Sequence, residues 1–154
     1  MVWDAVSKRG KLPLVFIEKG AKVNTTYYQQ EILESNLKMS APVTQGDDNW
    51  CFQQDSAPAH KAKTTQAWCR AKCPDFISEQ EWPPSSPDLN PLDFCVWGIL
   101  EAKVNEKPHR SLEPLKKKLL TEWDRLPMKT IRAAIDAWPT RLARVVQRKG
   151  NRIE

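Results

Sequence analysis

Two aspartates stand where a backbone can aim a carboxylate at a fixed point. Asp55 closes the run Trp50–Gln54, which reads as a strand, and Asp93 falls three residues into a helix opened by Asn90 and Pro91. Ends of strands are where α/β sheets build sites. The positive end of a helix dipole favours an ionised carboxylate, the form that binds a hard divalent cation through oxygen. The same residues also suit plain structural duties: Asp55 can open an Asx turn into Ser56-Ala57-Pro58, and Asp93 can cap its own helix end. Spacing alone leaves both uses open. Zinc is not expected, because Cys51, Cys69, Cys73 and Cys95 offer no paired CxxC spacing and His60 and His109 lie far from any cysteine pair.

The elements that must position these acids follow from the apolar pattern. Val2 to Val6 and Leu12 to Ile17, joined by Ser7-Lys8-Arg9-Gly10, predict a β-hairpin. By alternation Asp4 shares a face with Val2 and Val6, and it is expected to be strained or exposed at an edge. Asn24 predicts the cap of a helix reaching about Leu37, with Tyr28, Ile32 and Leu33 on its buried stripe, followed by a polar loop over Ala41 to Asn49. Residues 60–72 read as a helix stopped by Pro74, and Phe76 to Trp82 as a weak fourth strand. The proline-rich run Trp82 to Pro91 must be an extended loop, which delivers the chain to the Asp93 helix, ending near Val104. Two further apolar stripes, Leu112, Leu115, Leu119, Trp123, Leu126 and Ile131, Ile135, Trp138, Leu142, Val145, predict helices, the second broken or kinked at Pro139. The order β-β-α-β-α-β-α-α-α is that of an α/β domain with helices over a mixed sheet.

At 154 residues the chain suits one domain, with residues 1–104 as sheet and motif core and 105–154 as basic helices. Charge is uneven: residues 1–102 carry 10 basic and 13 acidic side chains, residues 103–154 carry 14 and 6, so the second part is a candidate polyanion contact. No apolar run approaches the roughly 18 residues of a membrane span and no leader pattern opens the chain, so a soluble, intracellular protein without a membrane partner is expected. Trp82, Trp97, Trp123 and Trp138 read as core residues rather than base-stacking platforms. Asp88 and Glu101, in a loop and a second helical turn, are expected to be solvated. His60 is expected to hydrogen-bond around the turn after Asp55.

Gln53-Gln54-Asp55-Ser56-Ala57-Pro58-Ala59-His60 followed by Trp82-Pro83-Pro84-Ser85-Ser86-Pro87-Asp88-Leu89-Asn90-Pro91-Leu92-Asp93 resembles the paired signature of Tc/mariner transposases. The likeness extends to Met1-Val2-Trp3, Pro13 to Ile17, Trp123 to Pro127 and Trp138-Pro139. With 37 residues between Asp55 and Asp93, and an aspartate in the third place, it resembles the mariner-like, three-aspartate subgroups.

The resemblance implies a ribonuclease H-like α/β fold whose three carboxylates hold two divalent ions, Mg²⁺ or Mn²⁺, for DNA cleavage and strand transfer. It makes Asp55 the second acid and Asp93 the third, as catalytic and metal-binding residues. The first acid is expected on a strand upstream of Val2. That strand is central in the resembled fold, so its absence predicts two open edges, and either aggregation or repair by a partner strand. Expected partners are DNA and another transposase chain, and the expected compartment is the nucleus. DNA-contact candidates are His60, Lys116, Lys117, Lys118, Arg141, Arg144 and Arg148. A transposase fragment inactive by itself is thus the first expectation; a noncatalytic nucleic-acid- or protein-binding module is the alternative.

Overall fold

The computed structural model describes residues 1–37 and 49–153. The chain divides into two compact units, Met1–Ala5 with Arg9–Ser85, and Val6–Lys8 with Ser86–Glu154.

In the first unit β1 (Val2–Trp3) pairs antiparallel with β2 (Val15–Phe16) in the register Val2 to Phe16 and Trp3 to Val15. The hairpin is present, with shorter regular strands than the apolar runs. Bonds from Leu12 N to the Ala5 carbonyl (2.8 Å) and from Ile17 N to the Met1 carbonyl (2.9 Å) extend it to either side. Between them stands Pro13, which has no N–H to donate, so the ladder is interrupted there. Asp4 is 9% exposed. The expected edge-exposed carboxylate is therefore a buried one.

Helix α1 begins as Thr25–Tyr27, capped by Asn24, whose side-chain oxygen accepts from Tyr27 N at 2.9 Å. It continues as a π-helix over Tyr28–Leu37. Polar side chains accompany that wide winding: Ser35 Oγ donates to the Gln30 carbonyl (2.7 Å) and Asn36 Nδ2 to the Glu31 carbonyl (2.6 Å), each five residues back. Tyr28, Ile32 and Leu33 are buried as expected and form a core with Leu12 and Ala59, against which Trp3, Val15, Phe52 and Trp68 pack. Each such large side chain contributes about 1.5–3 kcal/mol by leaving water. The polar loop expected at Ala41 to Asn49 lies almost wholly outside the described residues.

β3 (Cys51–Phe52) pairs in parallel with β4 (Asp75–Phe76), Cys51 beside Asp75 and Phe52 beside Phe76. Between them run α2 (Pro58–Lys61) and α3 (Lys63–Lys72), which ends at Cys73 just before Pro74. The fourth strand starts one residue earlier than expected and stops well short of Trp82. The reason is a local turn: Glu81 Oε2 accepts from both Ser78 N (2.8 Å) and Ser78 Oγ (2.6 Å), a Ser-x-x-Glu capping pair that turns the chain away from the ladder. Among the described residues, the two pairs of strands form separate two-stranded sheets.

The second unit is helical. A 3₁₀ turn, Pro87–Leu89, interrupts the expected extended loop and leads to α4, which is π-wound over Leu92–Val96 and α-helical over Trp97–Val104. α5 (Leu112–Arg125), α6 (Met128–Asp136) and α7 (Trp138–Gln147) follow, the break between the last two falling beside Pro139 as expected. Trp123, Leu126, Ile131, Ala134 and Val145 are buried. Leu112, expected on a buried stripe, is 53% exposed, because the apolar stripe of α5 runs on beyond the surface the helix covers. Trp82 and Trp123 are buried, whereas Trp97 and Trp138 are partly exposed.

Candidate active site

Gln54, the residue before Asp55, is buried, and its Oε1 accepts the Tyr28 hydroxyl proton at 2.8 Å, tying the end of β3 to α1. Asp55 then turns outward with 54% of its side chain exposed. Its Oδ1 accepts from Ala57 N at 2.9 Å, which forms the Asx turn expected from the sequence, and lies 2.6 Å from His60 Nδ1. His60 also approaches the Asp55 carbonyl at 3.3 Å, so it does hydrogen-bond around this turn. Its ring is set in turn by Tyr28, with centroids 4.3 Å apart and planes tilted by 38°. The hydrogen bond from His60, helped by the Ala57 amide and opposed by partial burial, holds the Asp55 carboxyl below the usual carboxylate range. Burial pushes the Tyr28 phenol far up, so it remains a neutral donor to Gln54.

A titration checks this arrangement. His60→Ala is expected to raise the Asp55 pKa toward the ordinary carboxylate value, read by ¹³C NMR of the carboxyl carbon. Because the folded value is the lowered one, the stability this pair adds is present above the ordinary aspartate pKa. It is lost as pH falls through the lowered value. Half-exposure keeps that contribution small. An unchanged Asp55 titration would mean that the imidazole is not its cause.

Asp93 lies in the second unit, in the first turn of α4 and exposed to solvent. Asn90 Oδ1 accepts from Leu92 N (3.2 Å) and the Asn90 carbonyl from Asp93 N (3.0 Å), so the expected cap is formed. Arg141 reaches this start from α7, its guanidinium carbon 3.7 Å from the centre of the Phe94 ring and its Nη1 donating to the Asp88 carbonyl at 2.9 Å. Asp88 is a correction to the sequence expectation. It is 5% exposed rather than solvated, and its Oδ2 accepts from Ile153 N at 3.0 Å. Glu101 is exposed, as expected.

Of the DNA-contact candidates, Lys117, Arg144 and Arg148 are exposed, and Arg148 Nη1 donates to the Arg152 carbonyl at 3.1 Å. Lys116 pairs with Glu113 at 3.2 Å and Lys118 with Glu122 at 2.7 Å. Arg141 is committed to Phe94 and Asp88, and His60 to Asp55. Cys51, Cys69, Cys73 and Cys95 are free thiols. Among the described residues no group of three or more His, Cys, Asp or Glu side chains is placed to hold a metal ion. No described helix is long and apolar enough to cross a membrane. Tyr28 and Gln54 as supports of the Asp55 turn escaped sequence reasoning, since only the fold brings α1 to the end of β3.

No protein-family model matches the chain. The chain is 32% identical over 155 aligned residues to the transposable element Tc3 transposase of Caenorhabditis elegans, an alignment covering 99% of this chain and 45% of that protein. It thus spans less than half the length of that relative. The catalytic domain of Mos1 transposase, solved with Raltegravir and Mg, superposes with a TM-score of 0.80 at 25% identity, over 99% of this chain and 75% of that one. The Mos1 paired-end complex with the left transposon end gives 0.81 at 23% identity, over 99% and 44%. The architecture is therefore that of a mariner catalytic domain, the ribonuclease H-like α/β fold expected from the motif. Sequence likeness to a Tc-type transposase and shape likeness to a mariner one converge over the same residues, and together they support the resemblance of this chain to Tc/mariner transposases.

Proposed function

We propose that residues 1–154 are part of a DNA transposase catalytic domain in which Asp55 and Asp93 are the second and third of three metal-binding carboxylates. The observation that carries this is the placement of each acid on a braced element: Asp55 fixed by Ala57 and His60 after β3, Asp93 on the capped first turn of α4. The donor set fits hard cations such as Mg²⁺ or Mn²⁺, because both groups are exposed oxygen donors and Asp55 is held ionised by its neighbours. In such a site the bound ions supply activation of the attacking water or 3′-hydroxyl and stabilisation of the leaving oxygen. The chain's own residues aim both carboxylates, and the neighbours of Asp55 keep that one ionised.

A third acid, on a strand lying in space between β1 and β3, completes this scheme. Among the described residues the strands form two separate pairs, and this supports it, since an inserted strand could join the ladders. Two carboxylates without a third bind Mg²⁺ only weakly, since Mg²⁺ keeps several waters and relies on few protein ligands plus phosphate. The substrate is DNA, the partner a further transposase chain, and the compartment the nucleus. Mos1 supports the first two, since its solved assemblies include a paired-end complex with a transposon end. The basic residues 103–152 give sequence-independent contact with the phosphate backbone.

Paramagnetic broadening by Mn²⁺ tests the shared site. Titrated into the chain with ¹³C-labelled aspartate, Mn²⁺ should broaden the carboxyl resonances of Asp55 and Asp93 over the same concentration range, ahead of those of Asp124 and Asp136. Broadening of one acid without the other would remove the shared site.

A further inference from the structure

Glu122 is an acid that the proposed metal chemistry does not use. It sits on α5 with only 6% of its side chain exposed, and three cations converge on its two oxygens. Lys118 Nζ lies 2.7 Å from Oε1 and Arg125 Nη1 3.5 Å from the same oxygen, both on α5. Lys103 Nζ, from α4, lies 3.9 Å from Oε2. α4 and α5 pack against each other, so two helices contribute to one cluster. The hydrogen bond from Lys118, with the nearby charges of Arg125 and Lys103, holds the Glu122 carboxyl below the usual range.

One carboxylate needs no more than one or two cations to neutralise it. Here three positive heads gather around one negative group, which leaves a local excess of two positive charges. The heads remain within reach of solvent, with side chains 34%, 41% and 69% exposed for Lys118, Lys103 and Arg125. Glu122 thus acts as a pin from beneath. It draws flexible cations to one place, and their mutual repulsion is relieved when an outer anion covers them. A phosphodiester group has the required charge and accepts hydrogen bonds from both ammonium and guanidinium donors.

We infer that Lys103, Lys118 and Arg125, pre-organised by the buried Glu122, form a phosphate-binding surface for the backbone of duplex DNA. The inference rests on the proposed DNA-contacting role of residues 103–152 and names the place where that contact is concentrated. It differs from a general basic-tail attraction in the sign of one effect. If only net charge mattered, removing any acid would strengthen binding. If Glu122 organises the cations, removing it weakens binding even though the chain becomes more positive.

The experiment measures affinity for a fluorescent duplex oligonucleotide of arbitrary sequence across a salt series, using the full chain and its Glu122→Gln and Glu113→Gln variants. Both variants change net charge equally, but Glu113 is 81% exposed and touches only Lys116 among these lysines. Glu113→Gln is expected to bind as tightly as the parent or slightly tighter. Glu122→Gln is expected to bind at least about threefold more weakly at 0.1 M salt, with the log–log salt slope shallower by about 0.9 for each phosphate no longer neutralised. Lys103→Gln and Arg125→Gln should each lose more affinity than Lys129→Gln, which removes the same charge from an exposed position elsewhere on the unit. These comparisons also decide the matter should Glu122→Gln fail to fold. Tighter binding by folded Glu122→Gln, or equal losses for Lys103→Gln, Arg125→Gln and Lys129→Gln, would overturn the pinned site while leaving the DNA-contact reading intact. A parent chain that fails to bind duplex DNA even at low salt would overturn both.

Discussion

Trp123→Ala is expected to destabilise the chain by about 3–5 kcal/mol, the cost of emptying a large core site that its surroundings cannot refill. Trp123 is 2% exposed on α5, and Leu126 and Ile131, which follow it in sequence, are 3% and 0% exposed, so the truncation falls within the buried core of the second unit. Leu112, on the same helix and on the same apolar stripe in sequence, is 53% exposed, and Leu112→Ala should change stability by no more than about 0.5 kcal/mol. Urea denaturation of both variants gives the comparison. A shift below about 1 kcal/mol for Trp123→Ala, or equal shifts for the two, would mean that α5 does not anchor this unit.

That contrast shows where sequence reasoning reaches its limit. Periodicity places Leu112 and Trp123 on one face, but it carries no information about how far along the helix the covering surface extends. Features set by neighbouring residues are readable: the Asn24 cap, the Asn90-Pro91 start, the Pro139 break and the Asp55 turn with His60 each depend on partners within a few positions. Features set by distant partners are not. Asp88 reads as a solvated loop acid because its partner, the amide of Ile153, lies 65 residues away. The spacing of Lys118, Glu122 and Arg125 along one helix is visible, but the arrival of Lys103 from α4 and the burial of the carboxylate are not. The π-winding of Tyr28–Leu37 and Leu92–Val96 also lies beyond the apolar pattern, which assumes 3.6 residues per turn.

The second large effect concerns the proposed chemistry. In a version of the chain extended upstream through an acid-bearing strand, Asp55→Ala or Asp93→Ala is expected to lower Mn²⁺-dependent DNA nicking by about 1,000-fold or more. Loss of a metal ligand forfeits several kcal/mol of charge stabilisation, and each 1.36 kcal/mol is tenfold in rate. Because the acids work as one unit, the double variant should be little worse than either single one. His60→Ala, which removes a support of Asp55 and not a ligand, should cost about 10–100-fold, in the range of other partners that orient metal ligands.

The most direct test of the claim that Asp55 and Asp93 are two of three metal-binding acids is nicking of supercoiled plasmid in Mn²⁺ by residues 1–154 and by the extended version, side by side. The expected result is no activity from residues 1–154, activity from the extended version, and loss of that activity in Asp55→Ala and in Asp93→Ala. Robust nicking by residues 1–154 that disappears in Asp55→Ala would contradict the account, because the third acid would then come from within the chain. An extended version that nicks equally well with Asp93→Ala would contradict it as well.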